Sequence, residues 1–412
     1  MRISNFQSVA PLFLGLAFAA QVQAADLKQV KSVSFGDCGP SSSVDACFSY
    51  SGTPLVLNNS TVYFRTVSAL WKFNPQTAQP PVAITNVERS GDSVEGSYPS
   101  PFLTKDHQIA FGNMTDDFYL LNLSGTTLFD VEIDELLSKT KSPAGLDSLI
   151  ATPLQAQNGT FVGASRSTVW FLDSKMKLVN RYDVSTWNSR FATSPIQLKD
   201  GQIYVSDTGA ATSYFFSPDG NLNTSISNAP DRYNSSMGGW SAFGEAVQTQ
   251  SGLIAQGGNG YMTFLTSDGK ISSKTEFPGV DFVLKPLLLS NGNVVAFTEI
   301  DSGTNILGQA SIFLFDSNGK LLQQKTLARD FMINAGAAVL SGDQIVVGGF
   351  AVTSDPNAAG FGVLAVLDSN LDVVAQTKTT GFISGMSLLH DGSFLTNEYG
   401  APSTVGIYRL TQ

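Results

Sequence analysis

Ser194-Pro195-Ile196-Gln197-Leu198-Lys199-Asp200-Gly201-Gln202-Ile203-Tyr204-Val205 decides the fold. Two short apolar runs flank Asp-Gly, a pair that turns a chain tightly back on itself as a hairpin. The same pattern returns as Pro286-Leu287-Leu288-Leu289-Ser290-Asn291-Gly292-Asn293-Val294-Val295-Ala296-Phe297 and as Met386-Ser387-Leu388-Leu389-His390-Asp391-Gly392-Ser393-Phe394-Leu395. After each hairpin comes a third apolar run ending near Phe-Asp or Leu-Asp, a second tight turn and a fourth run. Eight such units can be read, over 53–85, 100–133, 152–184, 194–226, 244–277, 284–327, 335–379 and 384–410. A four-strand unit repeating every ~30–50 residues cannot bury its faces alone and must stack on its neighbours around an axis. The expected fold is all-β: an eight-bladed β-propeller of four-stranded antiparallel blades.

The eighth unit holds only three strands. Val30-Lys31-Ser32-Val33-Ser34-Phe35 alternates apolar and polar residues near the other end of the chain and supplies the missing one. An N-terminal strand completing the last blade would remove the open edges of the ring.

The turns sort the two faces. First turns carry Asn158-Gly159, Asp200-Gly201, Ser251-Gly252, Asn291-Gly292, Gly342-Asp343 and Asp391-Gly392. Second turns carry Asp219-Gly220, Asp268-Gly269 and Asn318-Gly319. Both sets lie on one face of a propeller. The opposite face takes the links between blades, long at 86–99, 134–151 and 227–243, and the second-to-third connections, long at 299–311, 351–362 and 397–404. Long connections on a rigid frame are where binding residues gather. Within one link, Ile133, Leu136 and Leu137 fall at helical spacing and predict a short packing helix over 131–139.

Composition narrows the function classes. The chain has 412 residues, a net charge of −10 and only 14% charged residues. An acidic chain without a basic stripe is not built for nucleic acid or for an anionic membrane surface. Residues 1–24 read as a signal peptide: Arg2, an apolar run over 9–20, and the small-residue ending Val22-Gln23-Ala24. The run is too short to span a bilayer and no later one is long enough, so no transmembrane segment is expected. Residues 25–412 would then form a single exported propeller domain, periplasmic or extracellular. Cys38 and Cys47 are the two cysteines, and in an exported chain they are expected to form a disulfide. Nothing completes a zinc site, and no metal is expected.

The third-strand endings Leu314-Phe315-Asp316-Ser317-Asn318-Gly319-Lys320-Leu321-Leu322, Phe171-Leu172-Asp173-Ser174-Lys175-Met176-Lys177-Leu178 and Val366-Leu367-Asp368-Ser369-Asn370-Leu371-Asp372-Val373-Val374 resemble the repeats of pyrroloquinoline-quinone-type (quinoprotein-like) propellers. The resemblance spans nearly the whole mature chain and implies an eight-bladed ring. That family ends its fourth strand in a docking Trp, where this chain has Asn180, Gln323 and Ala375. Its dehydrogenases hold a quinone over a disulfide of adjacent cysteines, and calcium with carboxylates. Cys38 and Cys47 are not adjacent and no such constellation is present, so no cofactor is expected. A propeller of the bacterial outer-membrane barrel-assembly machinery is similar in fold and has no enzyme activity.

Catalytic signatures are sparse. His107 and His390 both fall at tight first turns. Asp-rich turns such as Ser217-Pro218-Asp219-Gly220 and Asp316-Ser317-Asn318-Gly319 offer one or two oxygens each, too few for calcium. Aromatic and Arg residues stand out in the links: Trp187, Arg190 and Phe191; Asp231, Arg232, Tyr233 and Trp240; Arg329 and Asp330. These residue types concentrate binding energy, and they also anchor loops. The first reading is a protein- or peptide-binding scaffold using the looped face. The alternative is a carboxylate-dependent hydrolase of a glycan or small molecule at the central channel, drawing on Asp116, Asp117, Asp207, Glu245 or Glu299. Oligomeric state stays open.

Overall fold

The computed structural model describes residues 26–34, 52–58, 60–66, 69–77, 79–86, 99–112, 117–138, 151–165, 167–184, 193–207, 212–227, 243–258, 260–278, 282–283, 286–299, 310–327, 331–351, 361–399 and 404–411. Eight antiparallel sheets form, one for each unit of the repeat, arranged as the blades of a ring. Numbered along the chain, blades 1 to 7 occupy residues 55–86, 102–132, 154–183, 196–227, 243–276, 282–326 and 331–378. Blade 8 combines 382–411 with the strand Asp26–Ser34. The signal segment 1–24 and the pair Cys38 and Cys47 lie outside the described residues.

The N-terminal strand closes the ring as expected. It pairs with Thr404–Thr411 from Asp26 opposite Thr411 to Ser34 opposite Thr404. One apolar residue, Leu27, is fully buried. Two polar bolts assist it: Gln29 Nε2 donates to Tyr408 Oη (3.1 Å), and Lys31 Nζ donates to the carbonyls of Pro75 (2.8 Å) and Thr77 (2.6 Å) in blade 1. The predicted short helix is also present as α1 (Ile133–Ser138), with Ile133 and Leu137 buried against blades 2 and 3.

Four innermost strands begin earlier than the repeat predicts. They start at Phe243, Phe282, Phe331 and Phe382, and continue past a break in register. In blade 6 the strand splits into Phe282–Val283 and Leu287–Leu288, both against Val294–Glu299. Pro286 stands before the second piece and brings no N–H to the ladder. A period-two pattern cannot be followed through such a break, which is why these extensions were illegible.

Each first turn uses one hydrogen-bond scheme. Leu198 N donates to Gln202 O (2.8 Å) and Gly201 N donates to Leu198 O (2.9 Å), and the other blades repeat this. It is a type I turn closed by one left-handed residue, except in blade 7, where Gly342 and Asp343 are both left-handed. Second turns do the same, and there the Asp of the Leu-Asp or Phe-Asp ending shapes the turn. Asp173 Oδ1 accepts from Lys175 N (2.8 Å) and Lys177 N (2.9 Å); Asp316 and Asp368 act identically. Of the two turns weighed for calcium, Asp316 thus shapes its own turn, while Asp219 Oδ1 accepts from Asn158 Nδ2 (3.2 Å).

Between blades, in the seams, the left-handed residue of the second turn in blades 2 to 7 meets the preceding blade. A Cβ on Gly220 would lie 2.6 Å from Phe171, and one on Gly319 would lie 2.6 Å from Phe264. On Gly269 it would lie 1.6 Å from Ile226. Where the preceding blade offers Leu instead of Phe, the turn carries a large side chain: Met176 packs with Leu120, and Leu371 with Leu314. Met176 and Leu371 hold φ of 59° and 60°. That left-handed geometry costs roughly 1–2 kcal/mol, against about 1.5–3 kcal/mol from burying such a side chain, so burial wins. Outer strands add amide bonds at the places where quinoprotein-like repeats carry Trp: Gln323 Nε2 donates to Asn370 O (2.6 Å), and Asn180 Nδ2 to Asp219 O (3.4 Å).

Every outer strand also carries one extra residue, a β-bulge at Ile84, Leu128, Val179, Asn223, Ser272, Leu322, Val374 and, in the closing strand, Val30. Bulges twist an edge away from further pairing.

Two outcomes are expected. Gly220→Met alone should lower the urea midpoint markedly, and adding Phe171→Leu should restore about 1 kcal/mol or more. Removing residues 26–36 should lower the melting point of the whole ring in a single transition, read by calorimetry.

Candidate functional site

Polarity is graded along the blades. Second strands run from the hairpin face to the looped face. They begin apolar, as at Val62, Ile109, Phe161, Ile203, Ile254, Val294, Ile345 and Phe394, all essentially fully buried. Near the looped end the same strands and their partners turn polar while staying buried: Arg65, Thr66, Ser165, Thr168, Ser206, Asp207, Gln256, Thr298, Asn397 and Glu398. Burying polar groups costs free energy unless they are bonded. The bonds made there describe the tier.

In the seam of blades 1 and 2, Arg65 donates through Nη1 to Gly112 O and stands 5.7 Å over the Phe111 ring. Phe111 stacks on Tyr119 at 4.9 Å, and Tyr119 Oη donates to Asp117 Oδ2 (3.3 Å). Burial, then the charges of Asp117 and Asp130, push the Tyr119 phenol well up. Asp130 is itself raised, by burial and then by Asp117 and Glu132.

In the seam of blades 3 and 4, Tyr182 and Tyr214 lie 5.5 Å apart. Burial, followed by the charges of Asp207 and Tyr182, raises Tyr214 to about 12. Between blades 4 and 5, Tyr204 Oη bonds Ser213 Oγ (2.9 Å) and donates to Gln256 Oε1, while Thr193 and Ser206 hydroxyls meet at 2.7 Å. Gln256 Nε2 is buried without a partner among the described residues.

Between blades 7 and 8, Glu398 is fully buried. Its oxygens accept from Tyr408 Oη (2.7 Å), Thr396 Oγ1 (2.9 Å), Thr380 N (2.9 Å) and Thr404 Oγ1 (3.3 Å). Tyr408 in turn receives Gln29 of the N-terminal strand. One carboxylate therefore joins blade 8, the link that enters it from blade 7 and, through Tyr408, the closing strand.

The nine nominated link residues, Trp187, Arg190, Phe191, Asp231, Arg232, Tyr233, Trp240, Arg329 and Asp330, lie outside the described residues, as does Asp116. Glu245 and Glu299 are placed only by their strands, Phe243–Gln248 and Val294–Glu299. Asp117 and Asp207 belong to different seams, and each sits beside a tyrosine. Asp207 is fully buried. His107 and His390 occupy first turns on the hairpin face; His107 has a φ of 56°, and His390 Nε2 lies 3.0 Å from Leu57 O of blade 1. Among the described residues no group of three His, Cys, Asp or Glu side chains could hold a metal ion. Likewise, no described helix is long and apolar enough to cross a membrane. Arg65, Gln256 and Glu398 went unnoticed in the sequence. Their signal was a charged or amide residue inside an apolar strand, as in Val-Tyr-Phe-Arg65.

The Tyr214 shift gives a test. A phenol raised from 10.0 to about 12 contributes stability that is complete below pH 10 and is lost as pH rises toward 12. Asp207→Asn removes a neighbouring negative charge, so spectrophotometric titration should show the Tyr214 midpoint falling.

No family model matches the chain, and no curated relative matches it. Solved structures do. BamB from Moraxella catarrhalis is 13% identical over 93% of this chain and 99% of its own, with a TM-score of 0.63. A chain of a mitotic checkpoint complex is 11% identical over 100% and 99%, with a TM-score of 0.54. Streptogramin B lyase is 10% identical over 94% and 98%, with a TM-score of 0.51. At such identities the likeness establishes the fold: this chain is a β-propeller across nearly its whole length.

Proposed function

We propose that this protein is an exported propeller that acts as a protein- or peptide-binding scaffold through its looped face. The observation that carries this reading is the division of connections between the faces. Every described first and second turn on the hairpin face closes within a few residues. On the other face, the chain between Glu299 and Ser311, between Ala351 and Phe361, and between Ser227 and Phe243 is long. The polar tier lies directly beneath that face. Binding residues gather on long connections held by rigid frames. Trp187, Arg190, Phe191, Asp231, Arg232, Tyr233, Trp240, Arg329 and Asp330 are the residues assigned to contact the partner. The likeness to a chain of a mitotic checkpoint complex fits a partner-binding role. The reading of residues 1–24 as a signal peptide supports export to the periplasm or beyond.

The hydrolase reading has less behind it. Acid–base hydrolysis of a glycan needs two accessible carboxyl groups across one bond, whereas Asp117 and Asp207 sit two seams apart with tyrosines beside them.

The triple variant Trp187→Ala, Arg232→Ala, Trp240→Ala should lose the partner recovered from native envelope or culture fluid with the parent protein, while its melting curve stays unchanged. Undiminished recovery would exclude these links as the contact surface.

A further inference from the structure

The seam that closes the ring, between blades 8 and 1, keeps an open cleft on the hairpin face, opposite the surface assigned to a protein partner. Its volume is about 240 Å³, below the roughly 300–1,000 Å³ of sites for drug-sized ligands. It suits a group the size of one amino-acid residue. Three separate parts of the chain line it: Val30 and Lys31 from the closing strand, Leu389, Asp391, Ile407 and Arg409 from blade 8, and Ser60 and Gln76 from blade 1. Leu389 and Ile407 are buried and form an apolar floor, and Val30 is the exposed bulge residue beside it.

The polar rim has donors to spare and few acceptors. Asp391 Oδ1 accepts from Ser393 N (3.0 Å) and from the Ser393 hydroxyl, and Oδ2 is taken by Arg409. Both carboxylate oxygens are therefore engaged. Lys31 Nζ uses two of its three hydrogens on Pro75 O and Thr77 O. The Arg409 guanidinium has five N–H groups in a planar fork, a geometry that takes a carboxylate two-pronged. Its amine and guanidinium give the cleft two cations against one carboxylate.

Ser60 completes the rim on the blade 1 side. It holds a φ of 62° in the turn position where Gly159, Gly201 and Gly252 stand in other blades. His107 and Asp343 hold the same position in blades 2 and 7; Ser60 is the one whose side chain lines the cleft.

We propose that this cleft binds the carboxylate of a small amphiphilic acid, with the acid on Lys31 and Arg409 and the apolar stem on Leu389 and Ile407. A peptide C-terminus ending in an apolar residue and a short free carboxylic acid share this chemistry. The ligand would touch all three parts whose association closes the ring, so its binding is linked to closure: the native ring binds, the opened chain does not, and the melting point rises with ligand concentration.

The experiment uses the mature chain with three probes: acetyl-Ala-Leu-Leu with a free C-terminus, the same peptide as its C-terminal amide, and hexanoate. Calorimetric titration and melting curves are the readouts. The acid peptide or hexanoate should bind and raise the melting point, and the amide should bind at least about tenfold more weakly, a difference of ~1.4 kcal/mol. Hexanoate matching the peptide assigns the cleft to free acids; binding of the peptide acid alone assigns it to chain ends. Gln76→Glu places a negative charge at the exposed rim without touching the core, and should weaken acid binding several-fold with the fold intact. Equal binding of acid and amide, indifference to Gln76→Glu, or no binding by any probe would overturn the proposal.

Discussion

The ring stands on a steric rule at the seams. Where one blade presents a phenyl ring from its third strand, the next blade must present a glycine; where it presents leucine, the next must fill the space. Phe171 with Gly220 and Phe264 with Gly319 are the first kind, and Leu120 with Met176 and Leu314 with Leu371 the second. Interiors tolerate neither voids nor overlap at this scale. The position is left-handed in all these blades, so backbone geometry is constant while side-chain volume is exchanged across the seam. Glycine at the first turns has a different reason. A Cβ at Gly159, Gly201 or Gly252 would meet nothing within 4 Å, so there only the positive φ selects it.

A second set of bonds ties the hairpin face together. Gln155, Gln197 and Gln248 occupy the same place in blades 3, 4 and 5. Each donates to the glycine carbonyl of its own turn and accepts from a turn N–H of the blade before, Lys105, Gln157 and Lys199 in order. Asp343 takes the accepting part toward Ser290. Neighbouring turns are therefore locked amide to amide, which leaves the other face free to vary in length without loosening the frame.

Much of this was legible in the residues. The turn glycines and the Leu-Asp endings announced the repeat, the deficit of one strand in the last unit announced the closing partner, and the spacing of Ile133, Leu136 and Leu137 announced α1. What stayed hidden has physical causes. The extended innermost strands of blades 5 to 8 run through bulges, where alternation breaks. The polar tier depends on contacts between blades some fifty residues apart, such as Tyr204 with Gln256, which no local pattern encodes. Glu398 drew no notice in the sequence, because its four donors come from separate stretches of blade 8 and from the link that leads into it. The absence of the docking Trp was legible, but its replacement by amide-to-carbonyl bonds from Gln323 and Asn180 needed coordinates.

The bulged outer strands bear on how these molecules meet one another. A foreign strand laid along the circumference would find its hydrogen-bonding rhythm interrupted once in every blade, including the one closed by the N-terminal segment. Sheet-by-sheet growth into fibres is thereby discouraged all around the perimeter. Crowded copies of this protein are left to encounter each other flat side to flat side.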